Sequence, residues 1–246
     1  MHTPPAADDG LWIRRFHPRT DSLVRLVCLP HAGGSAGFYR PLSRAMPGTV
    51  DVLSVQYPGR QDRRTEPLVD SVPALADQVF AALLPWTDRP LALFGHGMGA
   101  SLAFEVARRL ERDRDTVPAT LFVSGHRAPS APRRDTAHPR DADGTDARPP
   151  GDEEVLRMIL PSTRAADYHA AETYTWQPGP PLRSPVTCLV GDGDPKLTAE
   201  EATAWSGHTD GAFTLKAFAG GHFFLTQHSR EIARLMAEQL GTPARA

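Results

Sequence analysis

Apolar, β-branched runs alternate with helical patterns along the chain. That rhythm predicts an α/β fold: a mostly parallel sheet with helices on both faces. Strands are predicted over residues 23–29, 50–57, 91–94, 120–124, 186–190 and 213–218, with a shorter opening strand over 11–16 at a sheet edge. Leu75, Val79, Ala82 and Leu83 recur at helical spacing and predict a helix over 71–84. Asp70 or Ser71 is its N-cap, and Pro73 falls in its first turn. A second helix is predicted over 98–110. Ile232, Leu235, Met236 and Leu240 put one apolar stripe on a final helix, stopped by Gly241 and Pro243. No internal repeat is visible.

One stretch breaks the rhythm. Residues 127–151 are crowded with Pro, Asp, Arg and Ala and carry almost no large apolar side chain. Such a segment buries too little surface to offset its ordering entropy, so a mobile loop is expected. Short helices are expected after it, over 153–160 and 165–174. An insertion of about 127–175, lying between the central strands and the last two, is read as a lid over a pocket. The alternative is a surface linker.

Composition narrows the function classes. A chain of 246 residues is the ordinary size for one α/β domain spanning 1–246. A net charge of −2 gives no reason to expect nucleic acid or an anionic membrane surface. No apolar run reaches the roughly 18 residues of a spanning helix. The opening residues Met1 to Asp9 lack the basic-then-apolar layout of a secretion signal, so a cytoplasmic protein is expected. Cys28 and Cys188 sit in strand-like apolar runs and are expected to be buried free thiols.

The candidate chemistry starts at Leu93-Phe94-Gly95-His96-Gly97-Met98-Gly99-Ala100. This has the shape of a G-x-S-x-G nucleophile elbow, the sharp strand-to-helix turn that raises one side chain above the sheet. Gly97 stands at the nucleophile position, and the hydroxyl is absent. Val190-Gly191-Asp192-Gly193-Asp194-Pro195 closes a later strand with a turn that can present an acid. Ala219-Gly220-Gly221-His222 closes the next with a histidine. Elbow, acid, histidine is the chain order of an α/β-hydrolase triad. In that logic His222 is the general base, and Asp194 orients its ring and stabilises the imidazolium. Asp192 is the competing acid; Asp194 is favoured because Pro195 fixes the chain beyond it. Taken singly, each is more often a solvated turn residue than a catalytic one. Taken together, each lies at the C-terminal end of a strand, where ligands bind open α/β sheets.

An oxyanion hole needs backbone donors aimed at the developing charge. The amide of Met98, at the helix start, is one candidate. The amide of Ala32, in the loop Leu29-Pro30-His31-Ala32-Gly33-Gly34-Ser35-Ala36, is the other. The alternative is that Gly33-Gly34 only makes a tight turn.

Beyond these sites, several blocks stand in matching order: Pro30-His31-Ala32-Gly33-Gly34, Tyr57-Pro58-Gly59-Arg60, Phe94-Gly95-His96 with Met98-Gly99-Ala100, Ser124-Gly125 with Arg127-Ala128-Pro129, Leu160-Pro161 with Arg164-Ala165, and Gly220-Gly221-His222-Phe223. Over residues 22–240 the chain resembles the type II thioesterases, the external editing enzymes of polyketide and nonribosomal peptide assembly lines. The resemblance implies an α/β-hydrolase fold with a helical lid, no metal and no organic cofactor. It also implies hydrolysis of acyl or aminoacyl groups from the phosphopantetheine arm of an acyl or peptidyl carrier protein, by a monomer. By the match, Asp194 and His222 take the acid and base positions, and Ala32 and Met98 the oxyanion positions.

The chain departs from the pattern twice. The family has serine where Gly97 stands, and the region after Arg127-Ala128-Pro129 lacks the family's leucine-rich helix and Gly-Gly turn. Four readings of Gly97 follow: a glycine introduced to silence the enzyme, hydrolysis by a water that His222 and Asp194 activate, a different reaction on the acyl chain, or a carrier-protein binding module. No other nucleophile is a convincing substitute. Ser101 lies a helical turn deeper, Ser35 is better placed as a substrate contact, Cys28 comes too early in its strand, and His96 is expected to be structural. Arg127, Arg133, Arg134, Arg140 and Arg148 are read either as a solvated basic loop or as a surface for an acidic carrier.

Overall fold

In the structure, a computed structural model, residues 9–131 and 161–241 are described. Among the described residues, seven strands form one sheet: β1 (Ile13–Arg14), β2 (Val24–Leu29), β3 (Val50–Val55), β4 (Leu91–His96), β5 (Leu121–Ser124), β6 (Val186–Gly191) and β7 (Phe213–Phe218). Their order across the sheet is β1-β3-β2-β4-β5-β6-β7. Only β1 runs antiparallel, with Ile13 opposite Val55. The inner pairs are parallel, with Val27 opposite both Leu53 and Leu93. The expected α/β class is borne out, and six strands begin and end within two residues of their predicted bounds.

Alternation along the inner strands explains the layers. Val27, Leu29, Leu53, Val55, Leu93 and Val123 face one side and pack with Leu75, Val79, Leu102, Val106 and Trp205. Leu26, Cys28, Val52, Phe94 and Phe122 face the other and pack with Leu42, Ile232 and Met236. Both faces are covered, which is why these runs read as continuous apolar stretches. The helices doing the covering are α3 (Val72–Leu83) and α4 (Met98–Arg114) on the first face, and α2 (Arg40–Ala45) and α7 (Ser229–Gln239) on the second.

Ser71 caps α3, its hydroxyl accepting from the Ala74 amide at 3.4 Å. α4 runs four residues past the sequence expectation. Its last turn carries Arg112 and Arg114, which suit the negative end of the helix dipole, and Asp115 closes it at φ +50°. Gly241, at φ +64°, follows α7 where the stop was expected.

Three elements differ from the reading. The opening strand shrinks to two residues because Asp9–Trp12 forms a helical turn, α1. The Arg63 guanidinium lies 4.3 Å from the centroid of the Trp12 ring, and the Trp12 carbonyl accepts from the Gln56 amide, so the segment is held against β3 in that shape. α2 was unassigned, since only Leu42 and Ser43 of its six residues are buried. The expected helix over 165–174 starts earlier, as α5 (Pro161–Thr173). A further short helix, α6 (Ala199–Ala202), follows β6. The expected loop beyond residue 131 and the expected helix over 153–160 lie outside the described residues, as do Arg133, Arg134, Arg140 and Arg148.

Candidate active site

β4 ends at His96 and α4 begins at Met98, so Gly97 alone makes the turn between strand and helix. It sits at φ +55° and ψ −125°. Its amide donates to the Ser124 carbonyl at 2.9 Å, and its carbonyl accepts from the Ala100 amide at 2.9 Å. The two flanking glycines are there for close approach. A Cβ on Gly95 would collide with the Gly99 carbonyl, and one on Gly99 with the carbonyl of Leu29. Gly97 is different. A Cβ there would lie 3.5 Å from His31 Cβ and 3.6 Å from His222 Nε2, ordinary van der Waals contacts. The turn therefore leaves room for a side chain, or for a water, directly facing the histidine.

The two late loops meet at this point. Gly193 donates to the Gly220 carbonyl at 2.9 Å, and Asp192 Oδ1 accepts from the Gly220 amide at 2.9 Å. Asp192 is thus an exposed loop tie. Asp194, with its side chain fully buried, accepts at Oδ2 from His222 Nδ1–H at 2.8 Å and at Oδ1 from the Lys196 amide at 2.9 Å. Of the two candidate acids, the structure brings Asp194 to His222. With Nδ1 engaged, Nε2 is the nitrogen facing Gly97.

Burial pushes His222 well below the usual imidazole range, and the Lys196 and His31 charges add to this. His222 is therefore neutral at neutral pH, as a base requires. Burial raises Asp194 to about 6, opposed by its bond from the Lys196 amide and by the Lys196 charge. Burial also takes His31 and His126 down to about 4. His96 Nδ1 pairs with Ser124 Oγ at 3.0 Å. Its ring lies among Phe38, Phe223 and His222, so it packs behind the turn.

Met98 opens α4, so its amide has no acceptor within the helix. On the other side, the Gly34 amide donates to the His31 carbonyl at 2.8 Å. That carbonyl belongs to the same peptide unit as the Ala32 N–H, so the bond helps to set its plane. His31 Nδ1–H donates to the Ala32 carbonyl at 3.0 Å, and Gly33 takes φ +73°.

The remaining candidates are placed away from the chemistry. Ser101 is buried within α4. Cys28 faces the α2 and α7 side of the sheet, its thiol raised well above the ordinary range by burial. Cys188 is also a free buried thiol, raised to about 12. Among the described residues, no cluster of His, Cys, Asp and Glu could hold a metal ion. No described helix is long and apolar enough to cross a membrane.

Two groups near the site escaped the sequence reading. Asp167, fully buried on α5, bonds Arg60 and accepts from the Gly33 amide. Lys196 lies 6.0 Å from the centroid of the Tyr168 ring of α5. Arg60 belongs to a block the sequence singled out, but nothing local pairs it with a residue 107 positions away.

The Thioesterase domain family model matches residues 24–240. The chain is 50% identical to thioesterase PikA5 of Streptomyces venezuelae, over 96% of this chain and 88% of that one. It is 48% identical to the structure of the type II thioesterase BorB from the borrelidin biosynthetic cluster, covering 94% and 98% of the two chains at a TM-score of 0.82. The structure of YbtT, a type II thioesterase from the yersiniabactin NRPS/PKS biosynthetic pathway, is 28% identical at a TM-score of 0.76, with 94% and 98% covered.

Proposed function

Because this chain belongs to the thioesterase family, we propose that it hydrolyses acyl or peptidyl thioesters held on the phosphopantetheine arm of a carrier protein, using water in place of a serine nucleophile. The observation that carries this reading is the open position at Gly97, 3.6 Å from Cβ site to His222 Nε2, in front of a His222–Asp194 pair joined at 2.8 Å. A water in that position gives its proton to His222 Nε2 as its oxygen attacks the thioester carbon. Asp194 holds the ring and balances the imidazolium charge. The oxyanion is received by the amides of Ala32 and Met98. When the carbon–sulfur bond breaks, the pantetheine thiolate takes the proton back from His222, and free acid and thiol leave. No acyl-enzyme forms. α5, which falls within the insertion expected over about 127–175, covers the arm as part of a lid, and the protein acts as a cytoplasmic monomer.

The test is release of free acid from a set of acyl-pantetheine thioesters, comparing the protein with its Gly97→Ser and His222→Ala variants. The protein itself is expected to turn over, to show no acyl adduct by mass spectrometry, and to lose about 10²- to 10⁴-fold in His222→Ala. Turnover confined to Gly97→Ser would overturn the water mechanism and mark the chain as silenced. Activity in neither would overturn hydrolysis altogether.

A further inference from the structure

The loop carrying Ala32 is tied down at three points, and the ties converge on one small region. Tyr57 Oη donates to the Pro30 carbonyl at 3.1 Å. Gln56 Oε1 accepts from the Ala36 amide at 2.8 Å, while its Nε2 donates to the Arg60 carbonyl at 3.0 Å. Asp167 Oδ2 accepts from the Gly33 amide at 2.6 Å. The other oxygen of Asp167 bonds the Arg60 guanidinium, which also bonds the Pro58 carbonyl at 2.5 Å and lies 5.2 Å from the centroid of the Tyr57 ring. Asp167 is 0% exposed and Arg60 3%. Two of the three ties come from the segment just after β3. The third reaches across 134 residues from α5.

We infer that Asp167 is a positioning residue for the oxyanion loop, clamping the Gly33 N–H so that the Ala32 amide is correctly aimed only while α5 is seated. The chemistry favours this over simple helix docking. A buried carboxylate paired with arginine alone would anchor α5; this one spends its second oxygen on a backbone amide next to the proposed oxyanion donor. Gly33, at φ +73°, adopts backbone that only glycine enters readily, and its amide is the one held. A substrate or carrier that shifts α5 would then alter oxyanion stabilisation. The inference rests on the hydrolytic reading of the site, so its test includes a readout independent of turnover.

Removing one charge would leave the other buried and unpaired, which risks unfolding. Two paired exchanges avoid this. Arg60→Met with Asp167→Leu removes both charges and the acceptor for Gly33. Arg60→Gln with Asp167→Asn removes the charges but keeps an amide oxygen for Gly33. In acyl-pantetheine hydrolysis, measured in the parent chain or in Gly97→Ser if the parent is silent, the apolar exchange should lower kcat at least about tenfold with KM within about threefold. The amide exchange should restore kcat to within about threefold of the parent. Hydrogen exchange at the Gly33 amide should speed up in the apolar pair alone. Unchanged kcat and unchanged Gly33 exchange in the apolar pair would overturn the inference. So would equal losses in both pairs with Gly33 exchange unmoved. If Gly33 exchange responds while neither background hydrolyses thioester, the clamp stands and the hydrolytic reading falls.

Discussion

At φ +55° and ψ −125°, Gly97 occupies backbone space that a residue with a Cβ enters only at a cost. Strain of this kind costs about 1–3 kcal/mol. Gly97→Ala should therefore fold and lose about 1–3 kcal/mol in urea unfolding, because its Cβ would make only ordinary van der Waals contacts. Gly95→Ala should lose far more or fail to fold, since its Cβ runs into the backbone of Gly99 and Ala100, which cannot yield. The two glycines look alike in the sequence, yet one is required by packing and the other is not. The same limit applies to the acids. Asp192 and Asp194 both followed a strand, and the choice between them was settled only when one met His222 and the other tied down Gly220.

Among the elements, the inner strands were readable because burial on both faces leaves an unbroken apolar run. The elements that escaped were those with little burial of their own: α1, α2 and the short α6. How elements are joined was less visible still. Glu105 on α4 pairs with Arg108 at 3.0 Å and with Arg109 at 2.6 Å, and accepts from Tyr174 Oη, just past α5, at 2.9 Å. Arg109 goes on to Asp77 of α3 at 2.7 Å. Three helices are thus linked through one carboxylate that is only 8% exposed. Glu105→Ala leaves two guanidinium groups short of a partner, and should lower stability by about 3 kcal/mol in thermal or denaturant unfolding.

For the whole molecule, the site's pH response depends on groups drawn from four separate loops. The proposed mechanism requires neutral His222 and ionised Asp194. His222 lies well below the usual histidine range, so it stays neutral as pH falls from 7. Asp194, raised to about 6, takes up a proton first. The acidic limb of kcat/KM should therefore have a midpoint near 6, a property of the coupled pair rather than of either residue alone. The Lys196 charge lowers both groups, so Lys196→Gln should move that limb to higher pH, and only modestly because this lysine is exposed. A limb that stays put, or moves down, would show that Lys196 does not act on the pair.

By itself the sequence determined the α/β class and the order of elbow, acid and histidine, because these depend on local periodicity, turn residues and linear spacing; the thioesterase family followed from its resemblance, block by block, to that family's motifs. It also determined that the nucleophile position holds glycine. Tertiary structure alone decided that the Cβ site of Gly97 faces His222 Nε2, that Asp194 and not Asp192 bonds the ring, and that Asp167 on a distant helix bonds the Gly33 amide. Each of these is a contact across a long stretch of chain, between polar groups that leave no periodic trace. Such pairs form only when the apolar strands and helices have packed and brought their loops together at one edge of the sheet.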